Sequence, residues 1–135
     1  MMPDFGTYNE AALRRLDLAL AAAAENGIRL IMVMSNYWPF LGNMQDYVDR
    51  ALGPGKHYSL FYTNTTVKQY YKDWLNKIIT RTNTITGQLY KNDPTVLAWE
   101  LANEPRVGDN WEKNQGLEPG RLVCNWVAEM SAYVK

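Results

Sequence analysis

An amide, a carboxyl and a guanidinium stand close together at Asn103, Glu104 and Arg106, directly after the mostly apolar run Thr95 to Leu101. A carboxyl at the end of such a run can act as a general acid if apolar walls raise its pKa. Enzymes that cut glycosidic bonds keep one of two carboxyls protonated near neutral pH in that way. Asn103 beside it can hydrogen-bond a sugar hydroxyl, and such a bond to a 2-OH strengthens in the transition state. Pro105 has no N–H to donate, so it stops strand pairing, and it biases Glu104 toward extended backbone. The carboxyl is expected at the rim of a strand. Taken alone, the same residues also fit a strand-end turn carrying a surface carboxylate, because a single Glu is a weak signal.

Other candidates carry less. Glu100 and Glu104 resemble a catalytic couple, but four residues of strand separate their Cα atoms by about 13 Å. A retaining double displacement needs carboxyls about 5 Å apart. Trp38 lies just beyond a second apolar run, where a ring either stacks on a pyranose face or packs under the loop that follows; both readings stay open. Trp99, inside its run, is expected in the core, and Trp111, in an irregular stretch, as a loop anchor, with a sugar platform as the alternative. His57, the only histidine, has no Cys or second His at ligand spacing and is expected to be solvated. Gly53-Pro54-Gly55-Lys56 lacks the Ser/Thr and the preceding strand of a phosphate-binding loop. Cys124, the only cysteine, reads as a small apolar side chain buried near Trp126 and Val127.

The elements that must position these residues follow from periodicity. Leu13, Leu16 and Leu20 recur at helical spacing between Asn9 and Asn26, with Arg14, Arg15 and Asp17 on the other side. Asn9 or Thr7 caps the start, and Gly27 fits the position after the end. Ile28 to Met34 is nearly all apolar, as a parallel strand covered on both faces requires; Met32 and Met34 are then core residues. A second stripe, Val67, Tyr70, Tyr71, Trp74, Leu75, Ile78 and Ile79, predicts another helix capped by Asn64, Thr65 or Thr66. Thr95 to Leu101 is the next strand, and Gly120 or Arg121 to Val134 the last helix, with Leu122, Trp126, Val127 and Met130 on one face. Helix, strand, short helix, helix, strand, helix predicts an α/β fold with a parallel sheet. Long segments follow both strands while a single glycine enters the first, so chemistry belongs at the strands' C-terminal ends.

With 14 basic and 14 acidic side chains and no long basic run, the composition offers nothing to nucleic acid or an anionic membrane. The 47% of hydrophobic residues suits one globular unit, without a linker or repeat to divide it. No stretch approaches the roughly 18 apolar residues of a membrane span.

The run DPTVLAWELANEPR, Asp93 to Arg106, resembles the strand of glycoside hydrolase family 5 endo-β-1,4-mannanases that ends in an Asn-Glu pair. Phe5 to Trp38 resembles the family's second helix and third strand, Phe61 to Thr95 the segment leading to the fourth strand, and Asn125 to Lys135 the helix after it. The resemblance is colinear over nearly the whole chain and implies part of a (β/α)8 TIM barrel, half of it or less. It implies that Glu104 is the acid/base of a retaining mechanism and that Asn103 holds the 2-hydroxyl at the cleavage point. Arg106 and Trp38 would contact sugars on the leaving-group side, and Asn36 would be a neighbouring polar group. An exposed Arg106 paired with a nearby carboxylate is the equal alternative.

The implied partner is β-mannan, galactomannan or glucomannan, with no metal or cofactor, and the implied location is extracellular. The family's nucleophile Glu belongs to a later strand with no counterpart in these 135 residues. Asp109 or Glu112 as substitutes would sit on an unconstrained loop. The chain is therefore expected to form a single incomplete catalytic domain, residues 1–135; a non-catalytic oligosaccharide-binding fragment and an unrelated small α/β domain are the competing readings. A complete barrel takes about 250 residues, so unpaired strand edges should favour self-association.

Overall fold

The structure, a computed structural model, describes residues 4–40, 42–108 and 110–135. In chain order its elements are α1 (Glu10–Glu25), β1 (Leu30–Val33), α2 (Met44–Leu52), α3 (Leu60–Thr63), α4 (Thr65–Ile79), a 3-10 turn at Tyr90–Asn92, β2 (Val96–Glu100), α5 (Trp111–Asn114) and α6 (Arg121–Val134).

Two expected caps are in place. The Asn9 side chain accepts from the Ala12 N–H at 3.0 Å, and that of Asn64 from Thr66 and Val67 at 3.0 and 3.1 Å, so each satisfies N–H groups that a helix start leaves over. At the other end of α1, Ile28 N–H bonds Ala23 O at 2.9 Å and Gly27 N–H bonds Ala24 O at 3.1 Å. This reversal needs the left-handed backbone that Gly27 supplies at φ +66°. It turns the chain directly into β1.

β1 and β2 pair in parallel, with Met32 opposite Trp99 and Val33 opposite Glu100. The register slips beside Leu30, and pairing resumes past the strands through a bridge between Asn36 and Asn103. Met32 and Met34 point into one helical layer and join a core that includes Leu13, Phe61, Tyr71 and Trp126. Phe61, Tyr71 and Trp126 meet pairwise with ring centroids 5.3 Å apart, which ties α3, α4 and α6 into one block.

The expectation that β1 is covered on both faces fails. Ile31 and Val33 are 55% and 52% exposed, because the helices lie on the Met32 side and no described residue forms a second layer. Trp99 is half-buried rather than a core residue. Cys124 and Val127 are exposed, since α6 turns Trp126 and Met130 inward instead.

Asp17 also departs from its expected place on the solvent side. It is fully buried, and its carboxylate takes two bonds from Arg81 at 2.8 and 2.7 Å, one from Tyr90 Oη at 2.6 Å and one from Thr84 Oγ1 at 2.8 Å. Burial alone would raise its pKa; the donors, Arg81 first, outweigh that and hold it well below the usual carboxylate range. The network fastens α1 to the loop between α4 and β2. Among the described residues no helix is long and apolar enough to cross a membrane.

A candidate active site at the strand ends

The helical layer anchors the segments that leave both strands. Trp74 Nε1 on α4 donates to Met34 O at 3.0 Å, and Tyr71 Oη, one turn earlier, donates to Leu101 O at 2.5 Å. Both carbonyls lie where the strands end, so α4 holds the two exits side by side. Beyond them Asn103 N–H donates to Ser35 O at 2.9 Å and Tyr37 N–H donates to Asn103 O at 3.1 Å. Two polar loops thereby continue the parallel pairing, and their side chains face one another.

All five residues singled out from the sequence meet here. Asn103 Nδ2 donates to Asn36 Oδ1 at 3.0 Å, and the same Oδ1 accepts the Trp38 N–H at 3.2 Å. Trp38 Nε1 donates to Glu104 Oε2 at 3.1 Å, and Arg106 Nη2 binds that same oxygen. The Arg106 guanidinium carbon lies 5.1 Å from the Tyr37 ring centroid and 5.4 Å from that of Trp38. Both readings of Arg106 thus bear on one place: its nearby carboxylate is Glu104 itself.

The site is open. Trp38 is 42% exposed and the Glu104 side chain 49% exposed, so the ring is not packed under its loop, and these residues raise no enclosing apolar wall around the carboxyl. Glu104 is not extended: its φ is +48°, a region that residues other than glycine adopt at a cost of about 1–3 kcal/mol. The expected bias from Pro105 is not followed: the chain turns sharply at the rim, where Trp38 and Arg106 hold the Glu104 carboxyl.

Several residues of the site had no sequence signal of their own. Tyr37 supplies the second ring under Arg106; its position beside Trp38 was the available hint. Tyr62 on α3 donates from Oη to Arg106 O at 3.0 Å, and Tyr58 Oη accepts the Gly108 N–H. A Cβ at Gly108 would stand 2.8 Å from Tyr58 Oη, so a larger residue there would push the Tyr58 hydroxyl aside.

The loop candidates resolve differently. Glu112 is buried, and its carboxylate accepts from Gly120 N–H at 2.6 Å and Leu122 N–H at 2.8 Å, capping the start of α6. It is committed to structure and is no substitute nucleophile. Asp109 lies outside the described residues. His57 is exposed but not merely solvated: Ser59 N–H donates to its Nδ1 at 3.2 Å and its ring stacks on Trp111. Trp111 does anchor its loop through that stack. No cluster of three or more His, Cys, Asp or Glu suited to a metal occurs among the described residues.

Comparison with known proteins identifies the family and the fold. A family model described as GH family 5 beta-mannosidase-like matches residues 1–135. Mannan endo-1,4-beta-mannosidase 4 of Solanum lycopersicum is 40% identical over 133 residues, covering 96% of this chain and 32% of the relative. Mannan endo-1,4-beta-mannosidase 7 of Arabidopsis thaliana is 39% identical over 133 residues, covering 96% and 29%. The chain spans about a third of the length of the curated relatives it matches.

Among solved structures, the hyperthermostable endo-1,4-beta-D-mannanase of Thermotoga petrophila RKU-1 superposes with a TM-score of 0.86 at 36% identity, over all of this chain and 38% of that one. The endo-1,4-beta-mannanase of Rhizomucor miehei gives 0.78 at 34% identity, over 91% and 34%. The two parallel strands with their outer helices are thus a part of a (β/α)8 TIM barrel. By sequence and by fold, the chain belongs to glycoside hydrolase family 5, among its β-mannosidase-like members.

Proposed function

We propose that this chain supplies the acid/base half of a retaining endo-β-1,4-mannanase active site, with Glu104 as acid/base and a nucleophilic carboxylate coming from outside these residues. The observation that carries the reading is the 3.1 Å bond from Trp38 at one strand exit to Glu104 at the other. It joins a flat apolar ring to a carboxyl at the C-terminal ends of parallel strands, where barrels carry their chemistry.

In the first step Glu104 gives its proton to the glycosidic oxygen as the nucleophile attacks the anomeric carbon. In the second it takes a proton from the water that releases the sugar. Asn103, held by Asn36, bonds the 2-hydroxyl of the mannose being cut. Trp38 and Arg106 take sugars on the leaving-group side. Because Glu104 is half exposed, bound sugar and further protein must exclude water for the acid role.

The substrate is β-mannan, galactomannan or glucomannan, and the location extracellular, since a polysaccharide does not cross a membrane to reach its enzyme. The uncovered apolar sheet face leads the isolated chain to self-associate. In any form of the protein that hydrolyses mannan, Glu104→Gln should lower kcat by about 10²–10⁴ while oligosaccharide binding persists. Activity that survives the substitution undiminished overturns the reading.

A further inference from the structure

We propose that Trp111 and His57 form a distal sugar platform, which takes a further unit of a β-1,4-linked mannan chain beyond those that Trp38 and Arg106 contact. The proposal rests on the mannan reading of the main site.

A chain of rings leads there from Glu104. Trp38, hydrogen-bonded to Glu104, meets Tyr37 edge-on at 5.3 Å, and Tyr37 meets Tyr58 at 5.4 Å. Tyr58 meets His57 at 4.5 Å, and His57 stacks on Trp111 at 4.9 Å with the planes only 2° apart. The rings come from the segments that follow the two strands and make one contiguous series of contacts, with Trp38 and His57 exposed and Tyr37, Tyr58 and Trp111 half-buried. Repeating sugars present repeating apolar C–H faces, and a row of rings is the surface that suits them.

Two hydrogen bonds tie down the approach to the far end of this series. Gly108 N–H on Tyr58 Oη and Arg106 O on Tyr62 Oη pin the start of the Trp111 loop to the segment that carries His57. Trp111 stacks on His57 and is still partly exposed. His57 Nδ1 lies 2.8 Å from Ser59 Oγ and 3.2 Å from Ser59 N, which orients the ring, and burial pushes its pKa down, favouring the neutral form, whose Nε2 can bond a hydroxyl as donor or as acceptor. An exposed imidazole edge able to bond a hydroxyl thus flanks the Trp111 ring. Sugar sites combine the same two parts, an apolar face and an oriented polar group. A loop anchor alone would use the stack and have no need of an oriented imidazole at the surface.

The test is calorimetric titration of the 135-residue chain with β-1,4-mannobiose and β-1,4-mannohexaose. Trp111→Ala and His57→Ala should weaken mannohexaose binding about tenfold and leave mannobiose binding unchanged. Trp38→Ala should weaken both ligands, and Trp111→Phe, which keeps a flat ring, should recover most of the mannohexaose affinity. No loss in Trp111→Ala, or an equal loss for the two ligands as from a loosened loop, overturns the platform and leaves the main site standing. If the unmodified chain binds neither oligosaccharide, the platform and the mannan reading fall together.

Discussion

The indole N–H of Trp38 and the carboxyl of Glu104 meet at 3.1 Å although 66 positions separate them in the chain. Neither side chain is buried, so packing does not force the contact; the backbone bridge between Asn36 and Asn103 brings it about. Arg106 closes the group by binding the same carboxylate oxygen while lying over both Tyr37 and Trp38. Ring, carboxyl and guanidinium form one unit.

That unit predicts a separation of roles for Trp38. In any form of the protein that hydrolyses mannan, Trp38→Phe keeps a ring for stacking but removes the donor that orients Glu104. We expect kcat to fall about tenfold with a much smaller change in KM. A change confined to KM would show that the indole only binds sugar.

Stability should depend on the buried Asp17–Arg81 pair. Asp17→Ala leaves Arg81 with Glu10 alone, and the loss should be near the lower end of the usual range for a broken buried pair, about 3 kcal/mol, measured by denaturant unfolding.

The same carboxylate gives a pH signature. It stays ionised in the folded state at pH values where the unfolded chain, with an ordinary aspartate pKa of about 3.9, takes up a proton. Its contribution is therefore fully present above that value and is lost as pH falls below it toward the folded pKa. Unfolding midpoints of Asp17→Asn, compared from pH 7 down to pH 3, should fall less steeply than those of the unmodified chain.

Glu112→Ala removes the acceptor for two N–H groups at the start of α6. The loss should be about 1–3 kcal/mol, and amide exchange at Gly120 and Leu122 should accelerate. Unchanged exchange at both amides would mean that another group caps the helix.

Self-association should run through the uncovered sheet face. Ile31→Lys with Val33→Lys places two charges where the unmodified side chains are more than half exposed, so the fold loses little while the apolar patch is interrupted. Analytical ultracentrifugation should show the unmodified chain associating and the double variant shifted toward monomer. A sharp, cooperative melt of a clean unmodified monomer would contradict the expectation.

Local chemistry made much of the fold legible. The alternation of 3.6-residue stripes with short apolar runs specifies helices and strands, and Asn9, Gly27 and Asn64 mark helix ends because capping is a matter of a few adjacent atoms. Of the candidate site, Asn36, Trp38, Asn103, Glu104 and Arg106 could be named from the sequence because each falls just past an apolar run, whereas Tyr58 and Tyr62, brought in from the segment around α3, carried no such signal. What the sequence could not decide were properties that depend on which segments come to face each other. Asp17 looked solvent-facing because its partners Arg81, Thr84 and Tyr90 lie more than sixty positions away, and the helix stripe carries no sign of them. Cys124 looked buried because hydrophobicity says which residues tend inward, not which face of α6 finds a neighbour. Glu104 looked extended because Pro105 acts locally, whereas its left-handed φ answers to contacts with the loop leaving β1. By itself the sequence determined the long helices α1, α4 and α6, the two strands and the identities of the first candidate groups; only the tertiary structure decided which were buried, because burial and pairing are set by segments distant in the chain.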